Sequence, residues 1–379
     1  MIPMELQFLP PENIMSVVRR QTSVIGRVKI ETDFLLRALR VVNSLEQSIE
    51  IMSYTFTFLS NGHQQSSTIL FQERVKMLSA EISQVIGHLS REGSRLRKIQ
   101  QKDNLHRLFG TDEFWIPSRI SSSNILEPNE ESGLFSVHFR VASQTQIDEL
   151  LVDVMFEIQG KQDHISLRIP IIEKQKHQDY IFPVRGKWIV GWNWVGFDSH
   201  RDVYSQEFAL DIFRVGDRPL KEIFEKPNTV DSGYGEEIIA IADGTVTSHV
   251  DNVPDNPSIG VEISDEEIKD IIDKNSSSLP AGAGNHVVLK HKSSEHSFYA
   301  HMIPGSLRVK TGDRVKQGQV LGLIGNSGNS DGPHLHFHLM DGPDYFTARG
   351  LPCHFINVRN LYGEPMEIVN VDSSPVWAE

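Results

Sequence analysis

Residues 334–340 read His-Leu-His-Phe-His-Leu-Met. In an extended strand successive side chains point to opposite faces, so His334, His336 and His338 share one side and Leu335, Phe337 and Leu339 the other. Neighbouring imidazoles then stand about 6.5 Å apart, two strand rises. That spacing suits one metal ligand beside one general base, and imidazole serves in both roles. A His-x-His pair alone is a weak signal, but other residues add to it. His301 closes the run Phe298-Tyr299-Ala300-His301. Asp211 lies inside Glu-Phe-Ala-Leu-Asp-Ile-Phe, residues 207–213, and His200 sits in a polar loop before it. An aspartate among apolar residues costs free energy unless it is paired or on a metal. One Asp and two His can hold zinc with a fourth position left for water. Such a site brings the water pKa to about 7, polarises a carbonyl and hydrolyses amides without a covalent intermediate. The two remaining histidines then act as base and as stabiliser of the developing oxyanion. Residue type and spacing leave open which histidine takes which role.

Composition narrows the alternatives. A chain of 379 residues supports two or three domains with ample cores. A net charge of -13 argues against non-specific nucleic-acid binding. The single cysteine, Cys353, excludes an intrachain disulfide and a multi-cysteine zinc site, so any metal must use His, Asp or Glu. No apolar run approaches the ~18 residues of a membrane span. Residues 1–14 lack the basic start, apolar core and cleavage site of a secretory signal. The expectation is a soluble chain without a readable export address, working at the cell wall or periplasm if exported and in the cytoplasm otherwise.

The elements that must position these residues are mostly strands. Met52, Tyr54, Phe56 and Phe58 alternate, with Asn61-Gly62 as the following turn. From Gln72 to about Gln101 the period changes: Val75, Leu78, Ile82, Val85, Ile86 and Leu89 predict one long amphipathic helix with a basic end at 91–102. Ser118–Ser132 reads as a linker or long loop. Three alternating runs follow, through Phe135–Val141, Val152–Ile158 and Ile165–Ile171, and predict antiparallel sheet. Residues 1–117 thus form a β-rich, sandwich-like region with the long helix, and 118–181 an antiparallel β region. Ile238–Val246 predicts a hairpin turning at Asp243-Gly244. Residues 252–284 look like an insertion, with a capping box at Ser264–Glu267 opening a short acidic helix and a flexible loop around Ala281–Gly284. The insertion is either a lid over a groove or a surface excursion. Strands return at His286–Lys290 and Phe298–Met302.

Several strings now carry a family resemblance. They are His200, Phe208-Ala209-Leu210-Asp211-Ile212, Tyr234 to Val246, Gly284 to Leu289 and Tyr299-Ala300-His301. Gly312 to Gln319, Gly325-Asn326-Ser327-Gly328-Asn329 and Pro333-His334-Leu335-His336-Phe337 complete the set. From about Phe182 to Phe355 the chain resembles the lysostaphin/LytM-type zinc metallopeptidases, which cut peptide cross-links of bacterial peptidoglycan. The resemblance implies a mainly β fold: a LytM-like antiparallel sheet domain with an open groove, over residues 182–362, followed by an acidic tail at 363–379. It implies zinc on His200, Asp211 and His336, and a catalytic pair His301 and His334 with His334 the base. It implies a peptidoglycan peptide as substrate. Tyr299 is expected to help shape the groove, and Gly325 and Gly328 to form one of its loops. His249, His286, His291, His296, His338 and His354 match no functional position of the family.

Short members of the family separate the first His and the Asp by three residues; here ten residues, Arg201 to Leu210, intervene. His200 is therefore the ligand that most needs a loop to bring it back. An inactive LytM-like regulatory or binding protein is the alternative, and such members lack ligands or catalytic histidines that are all present here. The string Val309–Ile324 also looks like a lipoyl or biotinyl carrier, but no modifiable lysine stands in the expected hairpin, and His334 and His336 would be left without a role.

Overall fold

Alternation of apolar side chains builds both halves of this chain. A computed structural model describes residues 4–24, 27–90, 103–174, 176–191, 200–214, 224–231, 233–360, 362–366 and 375–379. The chain divides into two units, Met1–Ser94 with Thr111–Gln175, and Arg95–Gly110 with Lys176–Glu379.

In the first unit, β1 (Met4–Leu9), β2 (Ile14–Val24), β3 (Arg27–Asn43), β4 (Ile49–Ser60) and β5 (His63–Phe71) precede helix α1 (Gln72–Ser90). The strands β6 (Ile125–Leu126), β7 (Glu131–Ser143), β8 (Glu149–Ile158) and β9 (Lys161–Glu173) follow. Their order is β1-β3-β2-β9-β8-β4-β5, with β6 on β4 and β7 on β3. Strand β9 joins the two halves of this order. It pairs antiparallel with β8 and parallel with β2. The halves face one another: Phe34 of β3 stacks on Phe58 of β4 at 5.4 Å, and Phe139 of β7 packs on Phe56 at 4.9 Å. The region is sandwich-like for that reason, since each half buries one apolar face against the other.

One local expectation changes. A register shift between Ile51 and Ser53 buries Ile51 and turns Met52 partly outward, because a one-residue slip exchanges faces. The long helix is observed over Gln72–Ser90, with Val75, Ile82 and Ile86 buried; its expected basic end at 91–102 lies outside the described residues. No helix among the described residues is long and apolar enough to cross a membrane.

The second unit holds helix α2 (Asp103–Phe109) and the strands β10 (Gly186–Gly191), β11 (Leu210–Arg214), β12 (Glu237–Ile239) and β13 (Gly244–Val250). Helices α3 (Asp265–Asn275) and α4 (Leu279–Ala283) lead to β14 (Asn285–His291), β15 (His296–Met302), β16 (Arg314–Val315) and β17 (Val320–Leu323). The series ends with β18 (Leu335–Met340), β19 (Gly350–Leu351), β20 (Val358–Arg359) and β21 (Pro375–Ala378). The main sheet runs β16-β13-β14-β15-β18-β11-β10-β21-β20, with β19 on β18, and β12 pairs separately with β17. The central strands β15 and β18 are buried at every residue. One face carries Val288, Phe298, Ala300 and Met340; on the other, Tyr299 packs against Phe337, and Phe337 against Phe355.

The expected hairpin over Ile238–Val246 does not form. Strand β12 pairs with β17, and β13 with β14 and β16. Asp243 instead accepts hydrogen bonds from Lys316 Nζ at 2.8 Å and the Gln317 amide at 2.9 Å, which ties the 312–319 turn to the strand start. The capping box is present: Ser264 Oγ accepts from the Glu267 amide, and Glu267 accepts from the Ser264 amide. The loop expected at Ala281–Gly284 begins as helix α4, and α3 and α4 bury Ile268, Ile271 and Ala281 against Val253 and Ile263. The stretch Pro375–Ala378, which no alternation announces, lies between β10 and β20.

His286 illustrates how this sheet responds to acid. Its ring stacks on Phe298 at 5.2 Å and its Nδ1 lies 2.8 Å from the Gly284 carbonyl. Burial lowers its pKa to about 4, against ~6.5 in an unfolded chain. Above the unfolded value neither state binds the proton; between the two values only the unfolded state does, so stability falls as pH drops from 6.5 toward 4 and then levels. The shift corresponds to about 3 kcal/mol. Urea unfolding across that range is expected to show a shallower decline in His286→Gln than in the parent protein.

Candidate active site

The ladder between β11 and β18 places Asp211 directly across from His336, and the ladder between β18 and β15 places Ala300 across from His336 on its other side. Three adjacent strands therefore bring a carboxylate, an imidazole and a methyl group into one row. The small Ala300 leaves space beside the His336 ring, and the cavity described below opens there.

His200 reaches the row by coiling. The amides of Val203, Gln206 and Ala209 bond in turn to the carbonyls of His200, Val203 and Gln206, at 2.9, 3.0 and 3.0 Å. These i to i+3 bonds make two 3-10 turns, His200–Asp202 and Tyr204–Gln206. The strand expected from Glu207 thus starts only at Leu210. The coiling offsets the ten-residue gap: His200 Nε2 lies 2.9 Å from Asp211 Oδ2, and His336 Nδ1 lies 2.9 Å from Asp211 Oδ1. Donor atoms of His200, Asp211 and His336 all fall within 4.8 Å of one another. Two imidazole nitrogens and a carboxylate oxygen at that spacing fit a divalent ion of the zinc type with a position left open. They are the one such group that includes these residues among those described.

Electrostatics follow from this packing. Burial alone would raise the Asp211 pKa, but the charges of His200 and His334 and the hydrogen bonds from His200 and His336 outweigh it and hold the carboxyl well below its usual range. Burial works against a proton on His200, yet Asp211 draws its pKa upward by charge and by hydrogen bond. His336, also buried, has its pKa lowered to about 4 and is neutral at neutral pH, as a ligand must be.

His301 and His334 stand over the same row, with ring centroids 4.7 Å apart. His301 Nδ1 donates to the Ser327 carbonyl at 2.8 Å, and His334 Nδ1 to the Gly332 carbonyl at 2.8 Å. In neutral rings held this way, Nε2 carries the lone pair. His334 Nε2 lies 3.6 Å from Asp211 Oδ1, and Phe213 stacks on the His334 ring at 5.0 Å. His301 has φ +62°, a left-handed conformation costly outside glycine, and its carbonyl accepts the Gly325 amide at 2.9 Å. Burial, then the neighbouring His334 and His336, push the His301 pKa well down. Gly328, at φ +80°, lets this loop touch the insertion, since a Cβ there would meet the Gly284 nitrogen at 2.3 Å.

The structure thus brings together all five expected residues. It removes Tyr299 from the groove: that side chain is buried, and its hydroxyl accepts the Ile241 amide at 3.0 Å and a hydrogen bond from Ser297 Oγ at 3.0 Å. It adds two residues. Gln206 Oε1 accepts from His200 Nδ1 at 3.0 Å, which directs His200 Nε2 at Asp211. His338 Nδ1 lies 2.9 Å from His336 Nε2, and His338 stacks on Phe298 at 4.7 Å. The alternating spacing had put His338 on the face of His336; no comparable signal marks Gln206.

A carboxylate with two imidazoles converging on one point, beside two more imidazoles, is an arrangement that fits metal-assisted hydrolysis. Residues 228–347 match Peptidase family M23. The peptidoglycan DD-endopeptidase ShyA of Vibrio cholerae is 43% identical over 58 residues, 15% of this chain and 13% of that protein. The glycyl-glycine endopeptidase ALE-1 of Staphylococcus capitis is 43% identical over 60 residues, 16% of each. The chain therefore spans only a small part of the curated relatives it matches. The catalytic domain of lysostaphin from Staphylococcus simulans is 21% identical, covers 45% of this chain and 88% of that one, and has a TM-score of 0.25. The matched residues lie in the second unit, which over that stretch is similar to LytM-type metallopeptidases of family M23. His301, His334 and His336 fall inside the matched residues, and His200 and Asp211 precede them.

Groups that hold a ligand's far nitrogen tune metal affinity. His338 Nδ1 and the Gln206 amide nitrogen both stand against His336 Nε2, at 2.9 and 3.3 Å, and hold the ring with Nδ1 toward Asp211. His338→Ala is expected to weaken zinc binding about 10- to 100-fold, read by competition with a chromogenic chelator, and His338→Gln to recover part of the loss.

Proposed function

We propose that this chain is a zinc-dependent endopeptidase that hydrolyses peptide cross-links of bacterial peptidoglycan. The observation that carries the proposal is the group His200, Asp211 and His336, with donor atoms within 4.8 Å, beneath two imidazoles whose Nε2 atoms are acceptors. The names of the similar proteins supply the substrate class.

The ion held by His200, Asp211 and His336 would supply Lewis-acid charge and acidify a water. The residues supply the rest. His334, fixed through Nδ1 on Gly332, takes the proton of the attacking water on Nε2 and later passes it to the leaving amine. Neutral His301, fixed through Nδ1 on Ser327, has no N–H to give an oxyanion. We therefore assign it to accept the second hydrogen of the same water and so orient it, in place of the oxyanion role expected from residue type alone. Asp211, held ionised, keeps both flanking imidazoles aimed at the ion. All five positions are filled, which does not favour an inactive regulatory member.

His334→Ala is expected to lower hydrolysis by 10²- to 10⁴-fold while zinc content stays stoichiometric. Asp211→Ala should lose both zinc and activity. Mass spectrometry of purified muropeptides after incubation with zinc-loaded protein reads the first quantity, and elemental analysis the second. Intact muropeptides in the presence of fully zinc-loaded parent protein would overturn the assignment.

A further inference from the structure

A cavity of about 180 Å³ opens beside the candidate metal centre. His200, His301 and His336 line one part of it, and Leu279 and Ala281 of the insertion line another. The insertion at 252–284 is thus a wall of this cavity. Two charged residues also face in, Glu262 and Arg107.

Arg107 is the unexpected one. It comes from α2, more than a hundred residues before the family match begins. Gly110 seats that helix. At φ +71° it ends α2, its amide bonding to the His106 carbonyl at 2.7 Å, and the Tyr204 ring occupies the place where a Cβ would stand, 2.6 Å away. The Arg107 guanidinium hydrogen-bonds the Tyr345 hydroxyl. Its Nε is buried and makes no hydrogen bond. A buried guanidinium N–H without an acceptor is costly, and an arginine fork matches the two oxygens of a carboxylate. Glu262 in the same cavity disfavours a multiply charged anion. The apolar wall and the small volume suit a single amino-acid residue.

We propose that Arg107 binds a free carboxylate on a substrate residue next to the scissile bond, so that the enzyme prefers cross-links in which that carboxylate is unmodified. The proposal rests on the peptidase reading above and narrows its substrate class. Two synthetic cross-linked peptides that differ only in that carboxylate, free or amidated, test it on the full-length, zinc-loaded protein. The parent protein is expected to favour the free acid by about tenfold or more in kcat/KM, mainly through KM. Arg107→Met should bring the ratio near one, and Arg107→Lys, which keeps the charge but loses the fork, should lie between. The same ratio in the parent and in Arg107→Met overturns the proposal, as does a parent protein that does not discriminate. Calorimetric binding of both peptides to His334→Ala, with and without Arg107→Met, separates this question from catalysis. If the parent cuts neither peptide, the peptidase reading fails; a binding preference for the acid that disappears with Arg107→Met still supports the carboxylate role, and equal binding of both peptides still overturns it.

Discussion

One buried carboxylate organises this molecule. Asp211 sits in a strand interior, where an aspartate is tolerated only if its charge is answered. Imidazoles on two different elements answer it, His336 across the β11–β18 ladder and His200 from the coiled loop before it. The ladder fixes the first of these. A slip of one residue would carry His336 to the opposite face, among Tyr299 and Phe355. The sheet register and the donor geometry are therefore the same constraint.

The other two histidines obey a different one. Each is tethered by a backbone carbonyl at Nδ1, Ser327 for His301 and Gly332 for His334. Carbonyls can only accept, so they fix the tautomer of each neutral ring and leave the inward nitrogen as an acceptor. The contrast between rings anchored to a carboxylate and rings anchored to carbonyls is what divides four similar side chains into two pairs. It also explains the left-handed backbone at His301: that conformation accompanies a ring tied to the Ser327 loop.

Much of this could be read from the residues alone. Alternation in 334–340 identified a strand with its histidines on one face, and the apolar setting of Asp211 marked it as a paired carboxylate. What could not be read was anything set by folding at a distance. The gap between His200 and Asp211 gave no hint that successive i to i+3 bonds would close it. Asp243-Gly244 had the local chemistry of a hairpin, but the flanking strands pair with β14, β16 and β17 rather than with each other. Tyr299 was placed on the wrong side because strict alternation puts it with His301, and the left-handed backbone at His301 breaks that alternation. Arg107 carries no local signal, since its meaning comes entirely from the cavity that α2 reaches.

Helix α2 has a consequence for how such a protein can be inherited. The unit that holds the donor cluster takes one of its pieces, residues 95–110, from a place in the chain that precedes the last strands of the other unit. The polypeptide thus passes between units three times, and no single cut in the gene separates them. A fragment beginning at residue 176 would keep His200, Asp211 and His336 and lose Arg107 and Gly110. Recombination that moved it as a cassette would deliver the chemistry of the site without one wall of its pocket. Neither unit is one uninterrupted stretch of chain, so neither can be moved whole by a single exchange.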